Sequence, residues 1–594
     1  MLPDIKNLPL WLKKLVSRKD LASTSDASKG SGMGGHNATL NYVAGTFGAV
    51  FNDVCVNVKM FPWLAKCDGT TNDIAAVTAC ITAISARGGG TILIPGPCRI
   101  NSSVAGASNV TLKGLGSGSG FVQPALAAFD AITGTGLTGF CIEDLKITCG
   151  GLEGIGPFRA IRLVNCVASA IRRVRVYEAD NTAIRLIDCQ KCTLDDCEFD
   201  ALSARVAAGT APYAAVMDGC SGTVFSNCRA SNVDFGFAIL AAAYTGSESG
   251  RPVDDAVGNV IIGCTVKNHS ACAFDVNGAH GNTISGCTSN VWVNKGAGNF
   301  GAFQLKNSTS GSKETRANVI TGCTAYKPAI GFLAQDGSNG MLSDFTVRLS
   351  SREAVYLNGA SFMQVSGVIA DSFGSGSSGV GDQIAAVRVA ASSNACQINN
   401  VTAKSATASY TRGVWIDNST NTQVDGVMLL TSYNQVAGKD YDTGIYIDAN
   451  SVNTILGQKI SLGQCTYTTA ELTDLANFAS TVYPLQFSGI WDVTVSKTWA
   501  FSNVPQRGVI VGRVRLVTAG AITGSPTVQV GKVGSLNWLI SATAPNATAG
   551  TQVAVNTSGL TNKTIDPTEY PVFNTPATGA AGTVVVSIEG LPRI

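Results

Sequence analysis

Four stretches share one pattern: CTLDDCEF (192–199), NVIIGCTV (259–266), NTISGCTS (282–289) and NVITGCTA (318–325). Each sets an apolar residue three positions before a cysteine, and an apolar or small residue two positions after it. Followed outward at the same spacing, the first apolar position recurs at Leu112, Ile142, Ile171, Leu194, Phe225, Ile261, Ile284, Ile320, Leu342, Val365, Ile398, Val424 and Ile455, in steps of 22 to 36 residues. Self-similarity at such periods marks a repeat architecture, in which no single unit buries its own apolar face and stacking supplies the core.

A second motif precedes most copies by about ten residues. It reads AIRLVN (160–165), AIRLID (183–188), AFDVNG (273–278), AVYLNG (354–359), GVWIDN (413–418) and GIYIDA (444–449). The apolar–x–apolar alternation with Asn, Asp or Gly near its end is a short strand followed by a turn. Two such strands per unit, without a helical period, predict the coils of a parallel β-helix. Cys197, Cys228, Cys264, Cys287 and Cys323 share one template position. They are expected to form a ladder of small buried hydrophobes inside the coil, with rungs about 4.8 Å apart.

Composition narrows the function. In 594 residues, 45% are hydrophobic and 14% charged, and the net charge is +2, without the basic excess of a general nucleic-acid binder. Three histidines argue against a His-rich metal site, and the single C-x-x-C, Cys189 to Cys192, has no second half for zinc. No metal and no cofactor is expected. MLPDIKNLPLWLKKL lacks the apolar core of a signal peptide, and no apolar run reaches membrane-spanning length. Synthesis in a reducing cytoplasm follows, where the 18 cysteines stay thiols.

Residues 68–87, DGTTNDIAAVTACITAISAR, read as a polar turn and a helix that GGG (88–90) stops. The strand TILIPGPCRI (91–100) follows. Asp68-Gly69-Thr70-Thr71-Asn72-Asp73, the helix, Gly88-Gly89-Gly90-Thr91 and Pro95-Gly96 resemble the opening segment of pectate-lyase-like right-handed β-helices, phage tailspikes among them. Asn72 stands where Asp is common, and Cys98 where an aromatic is common. The resemblance covers about residues 66–460.

It implies an all-β chain in four parts: a virion-attachment region (1–60), a capping helix with first strands (61–110), a right-handed parallel β-helix (111–470) and a C-terminal β-sandwich (471–594). The sandwich rests on alternating runs such as WDVTVSKTWAF and GVIVGRVRLV, and serves trimerisation or carbohydrate binding. Further implications are a homotrimer on the virion, joined to a phage tail or baseplate protein through LPLWLKKLVSRK and its surroundings. The expected partner is a bacterial surface polysaccharide, capsule or lipopolysaccharide O-chain, with neither nucleic acid nor membrane insertion.

Two clusters are candidates for chemistry. In GVWIDN and GIYIDA, Val414 and Ile416 face inward, which turns Trp415, Asp417, Tyr446 and Asp448 outward on consecutive rungs. Neighbouring carboxylates push one pKa up, separating an acid from a base or nucleophile as glycoside hydrolysis requires, and the aromatics offer faces to sugar rings. The turn-capping role of Asp is the alternative. The second cluster lies where the rungs are longest: Tyr244, Glu248, Arg251, Asp254 and Asp255 in one insertion, Trp292 in the next, and Asp275 outward between them. Asp195, Asp196, Glu198 and Asp200 beside Arg172, Arg173 and Arg175 read instead as ladder pairing, and His269 and His280 as polar turn residues or a lyase base.

The reading is a polysaccharide depolymerase hydrolysing a glycosidic bond with two carboxylates. A polysaccharide lyase on the same fold and a non-catalytic receptor-binding spike are its rivals.

Overall fold

The computed structural model describes residues 55–60, 62–125, 127–150, 158–179, 182–200, 213–241, 256–293, 300–307, 314–375, 384–405, 411–430, 443–448, 450–452 and 454–456, and beyond these the backbone of strands between 460 and 592. Nearly all of the attachment region expected at 1–60 therefore lies outside the described residues. The chain divides into two compact units, residues 1–267 and 268–594. Among the described residues no helix is long and apolar enough to cross a membrane.

The first unit opens on strand Val56–Asn57, which pairs in parallel with Gly90–Ile94. Between them runs a helix, Ile74–Ser85, whose Val77, Cys80, Ile81 and Ile84 are buried at helical spacing. It packs on Gly90–Ile94, Val104–Ala105 and Val110–Gly114. Asp73, at the N-cap position, does not cap the helix with its side chain. It turns back and accepts the amides of Lys66 and Cys67 at 2.7 and 2.8 Å. Gly88, Gly89 and Gly90 all take positive φ, and a Cβ on Gly89 would lie 2.3 Å from the Asn109 carbonyl oxygen. Glycine there is a steric requirement.

From Ile132–Thr135 through Thr324–Tyr326 each rung holds three short strands where two were expected; the rungs that begin at Ile330, Val355, Ile384 and Thr411 hold the expected two, the second running unbroken as in Gly340–Arg348 and Gln364–Phe373. One rung comprises Ile161–Val164, Ala170–Arg172 and Arg175–Tyr177, and the next Ile184–Ile187, Thr193–Asp195 and Glu198–Asp200, paired in parallel throughout. One left-handed residue bends the chain at the corner between the second and third strands, or within the one strand that replaces them. In this unit it is Asp144, Arg173, Asp196, Asn227 or Gly263; in the second it is Gly286, Gly322, Asp344, Gly367, Asn400 or Gly426. Gly, Asn and Asp tolerate that conformation best, so Arg173 is the costly exception.

The repeat positions form registered columns. In the first unit Leu112, Ile142, Ile171, Leu194, Phe225 and Ile261 follow one another as direct partners. In the second the column is Ile284, Ile320, Leu342, Val365, Ile398 and Val424. The last copy slips: Leu456 pairs with Val424, while Ile455 pairs with Gln423. A one-residue shift exchanges the two faces, and Ile455 accordingly stays half-buried.

The coil interior is apolar. Phe274 stacks on Phe303 with centroids 4.7 Å apart, and Phe303 meets Phe345 edge-on at 5.3 Å. Burying each such ring stabilises by roughly 1.5–3 kcal/mol. Cys197, Cys228 and Cys264 in the first unit, and Cys287 and Cys323 in the second, are buried. Cys228 donates to the Ser226 carbonyl and Cys323 to that of Thr321, both at 3.2 Å. The seventeen described cysteines are free thiols.

Beyond Leu472–Asp474, the last parallel strand, pairing becomes antiparallel. Leu485–Asp492, Thr583–Pro592 and Val509–Thr518 form one sheet with two short edge strands. Lys497–Ala500, Pro571–Thr575, Thr527–Lys532 and Ser535–Thr543 form a second.

Candidate functional site

In the second unit one sheet runs Phe274–Asn277, Gly301–Lys306, Ile330–Gln335, Val355–Asn358, Ile384–Ala390, Thr411–Ile416 and Thr443–Ile447, each parallel to the next. Strand alternation gives it an outer side, where register builds a single column: Asp275, Gln304, Leu333, Tyr356, Arg388, Trp415 and Tyr446. At about 4.8 Å per rung, Asp275 stands some 19 Å from Arg388 along the column.

At one end, Phe274 and Val276 point into the core and Asp275 and Asn277 point away from it, yet both polar residues are about 95% buried. Asp275 Oδ1 and Asn277 Oδ1 have no hydrogen-bond partner among the described residues. Burial pushes the Asp275 carboxyl up to about 7, and Lys306, on the adjacent strand, pulls it back down. Beside it the Cys272 thiol donates to Gln304 Oε1 at 3.0 Å. A carboxyl that keeps its proton near neutrality can act as a general acid. Two orphaned acceptors on one face lack the partners that buried polar atoms ordinarily have.

At the other end, aromatic rings and guanidinium groups alternate. Arg388 lies 5.2 Å from the centre of the Tyr356 ring and 3.8 Å from that of Trp415. Arg412 lies 4.1 Å from Trp415 and 3.6 Å from Tyr446. The two rings meet edge-on at 6.3 Å. Arg388 also holds Asp417 through Nη2 at 2.6 Å and approaches Glu353 at 3.6 Å, while Arg352 Nε lies 3.4 Å from the same glutamate. Glu353 is fully buried, and neither carboxylate oxygen makes a hydrogen bond among the described residues. The Trp415 Nε1 donor is likewise unsatisfied.

The structure places Val414 and Ile416 inside and Trp415, Asp417, Tyr446 and Asp448 on the outer side, half-buried. Asp417 and Asp448 follow on consecutive rungs, but each has its own partners. Asp417 belongs to Arg388; Asp448 Oδ1 accepts the Asn418 amide at 2.9 Å and the Ser451 hydroxyl at 2.7 Å, the work of a turn cap. The ring faces of Trp415 and Tyr446 already carry guanidinium groups. Trp292 is half-buried and donates to the Ser270 carbonyl at 3.0 Å. Tyr244, Glu248, Arg251, Asp254 and Asp255 lie outside the described residues.

Sequence reading missed Glu353, Arg388 and Arg412. A signal for Arg388 existed: IAAVRVA (384–390) alternates as GVWIDN does, which sets Arg388 in the column of Trp415. His269 is no surface base. Its Nδ1 donates to the Ala271 carbonyl at 2.9 Å, so Nε2 accepts from Ser289 Oγ at 2.8 Å, and burial pushes its pKa down to about 4.

In the first unit a groove of about 340 Å³ is lined by Lys146, Arg173, Arg175, Arg229, Asp196 and Glu198, among others. Its charges pair across rungs: Arg175 Nε meets Glu198 at 3.2 Å and Arg173 Nε meets Asp144 at 2.6 Å. Asp195 accepts from Ser226 Oγ at 2.6 Å and Asp200 from Ser231 Oγ at 2.7 Å. Exposed pairs of this kind contribute little individually.

Residues 159–298 match the family of right-handed β-helix regions. The coil is a right-handed parallel β-helix. No curated protein matches the chain. Among solved structures, the Dettilon tailspike protein is 13% identical over 92% of this chain and 98% of its own, with a TM-score of 0.48. A mutant tailspike protein of E. coli bacteriophage HK620, solved with a pentasaccharide, is 11% identical over 90% of this chain and 93% of its own, at 0.46. The catalytic unit of an alpha-1,3-glucanase from Streptomyces thermodiastaticus is 13% identical over 69% of each chain, also at 0.46.

Proposed function

We propose that the outer side of this sheet binds a bacterial surface polysaccharide and cleaves it by glycosidic hydrolysis, with Asp275 as the proton donor. The observation that carries the reading is a buried carboxyl held near pKa 7 beside a second orphaned acceptor, Asn277 Oδ1. Oriented sugar hydroxyls are donors that such acceptors lack. A general acid must be protonated at working pH, and burial is how a carboxyl achieves this. In this reading Trp292 holds sugar; Glu248, Asp254 and Asp255, the other expected carboxylates, and Tyr244 and Arg251 lie outside the described residues. The Trp415–Tyr446 end grips the chain through the Trp415 N–H and through guanidinium edges, since its ring faces are already stacked. The protein acts as a homotrimeric spike on the virion, attached through residues 1–60.

A second reading, binding without cleavage, draws on Asp417 and Asp448. Both carboxylates make structural contacts, so that end acts as a grip without chemistry.

The test is incubation of purified protein with a panel of capsular polysaccharides and lipopolysaccharides, reading new reducing ends and ultraviolet absorbance together. Reducing ends without absorbance support hydrolysis. Absorbing, unsaturated products would make the protein a lyase, and tight binding without new ends would leave a receptor-binding spike.

A further inference from the structure

Cys67 and Cys98 sit where the chain enters the coil, and their thiols point at each other with Sγ atoms 2.9 Å apart. Both are buried. Their backbones are pinned by contacts that do not involve sulfur. The Cys67 amide donates to Asp73 Oδ2 at 2.8 Å, Gly69 N to the Pro97 carbonyl at 2.7 Å, and Asp73 N to the Arg99 carbonyl at 2.9 Å. Cys98 is fixed on the other side by the register of Pro97–Arg99 with Gly120–Val122. The fold thus brings the two sulfurs together before any bond exists. The ladder thiols also neighbour one another, but Cys228 and Cys323 in addition donate to backbone carbonyls at 3.2 Å.

We propose that Cys67 and Cys98 form a disulfide that staples the opening segment, closing a loop that contains the whole helix Ile74–Ser85. This inference is independent of the polysaccharide reading.

The chemistry balances with a small-molecule disulfide such as oxidised glutathione as oxidant. The Cys67 thiolate attacks one glutathione sulfur, the S–S bond of glutathione breaks, and one glutathione thiol leaves. Cys98 then attacks Cys67 Sγ in the mixed disulfide, the protein S–S bond forms, and the second glutathione thiol leaves. The two cysteines lose two electrons and two protons in total, and glutathione gains both. Cys98 donating its S–H to Cys67 lowers the Cys67 pKa, which suits Cys67 to the attacking role.

Asp73 gathers with the two cysteines, so a metal ion is the competing occupant. The sulfur separation argues against it: two thiolates at about 2.3 Å from a tetrahedral zinc stand well over 3 Å apart. Each Asp73 oxygen is also engaged by an amide, Oδ1 with Lys66 and Oδ2 with Cys67.

The experiment incubates the full chain with oxidised glutathione, blocks remaining thiols under denaturing conditions and maps peptides by mass. The expected product is one linked pair, Cys67 with Cys98, two hydrogens lighter than the reduced peptides and absent after reductant. The oxidised wild type should melt a few degrees above the reduced form, a difference that disappears in both Cys98→Ala and Cys67→Ser. Separate alkylation of both cysteines after oxidation would overturn the proposal. So would stoichiometric zinc that is bound by wild type and lost from either variant.

Discussion

Arg388 ties two rungs together: its Nη2 lies 2.6 Å from Asp417 Oδ2, just past the end of the next strand, and its guanidinium lies 3.8 Å from the centre of the Trp415 ring. The same group faces Glu353 on the preceding rung. One side chain therefore compensates two carboxylates and lies against two aromatic faces, Tyr356 and Trp415.

Arg388→Ala should destabilise the protein by about 3 kcal/mol, because it leaves the buried Glu353 charge with less compensation. Arg388→Lys should recover less than half, since a lysine keeps the charge but not the planar fork or the stacking. Thermal melts of the three proteins check this. Equal stability of wild type and Arg388→Lys would show that charge alone matters.

Asp275 makes stability depend on pH in a defined window. Below about pH 4 the carboxyl is protonated in folded and unfolded chains alike. As pH rises from there toward about 7, the unfolded chain sheds the proton while the fold retains it, so stability falls through that window. Asp275→Asn removes this decline and should gain a few kcal/mol at neutral pH relative to wild type. Denaturant unfolding across pH 4 to 8 reads it, and parallel curves for the two proteins would contradict it.

The corner residues allow a paired test. Gly263 has φ +64°, and a Cβ there would lie 2.9 Å from Asn227 Oδ1. Gly263→Ala should therefore cost about 1–2 kcal/mol. Arg173 already bears the left-handed strain, at φ +51°, in return for an exposed pair with Asp144. Such a pair contributes at most about 1 kcal/mol, so Arg173→Gly should be neutral or slightly stabilising. Melting temperatures of the two variants check the opposite signs.

Much of the coil was legible because its physics repeats. An inward position must be apolar on every rung, so the residues from Leu112 to Val424 declared their column by spacing. The register slip at Leu456 was not legible, because Ile455 and Leu456 are both apolar and either satisfies the pattern. The third strand of the earlier rungs escaped because a single left-handed residue makes the corner, and Gly, Asp, Asn and Arg share no obvious signature. Outward positions obey no such repetition. Trp415 and Tyr446 were visible beside their aspartates, whereas Arg388 was signalled only by the alternation of IAAVRVA, and Arg412 acquires meaning only through cross-strand contact. The Cys67–Cys98 pair joins residues that no repeat relates.

Asp275 is proposed as the proton donor in glycosidic cleavage. The most direct measurement compares wild type and Asp275→Asn on a polysaccharide that wild type cleaves, following reducing ends from pH 5 to 9 alongside equilibrium binding. The wild-type rate should fall as pH rises through about 7, and the variant should bind normally but lose at least about a hundredfold in rate. A variant that cleaves at the wild-type rate with the same pH profile would contradict it.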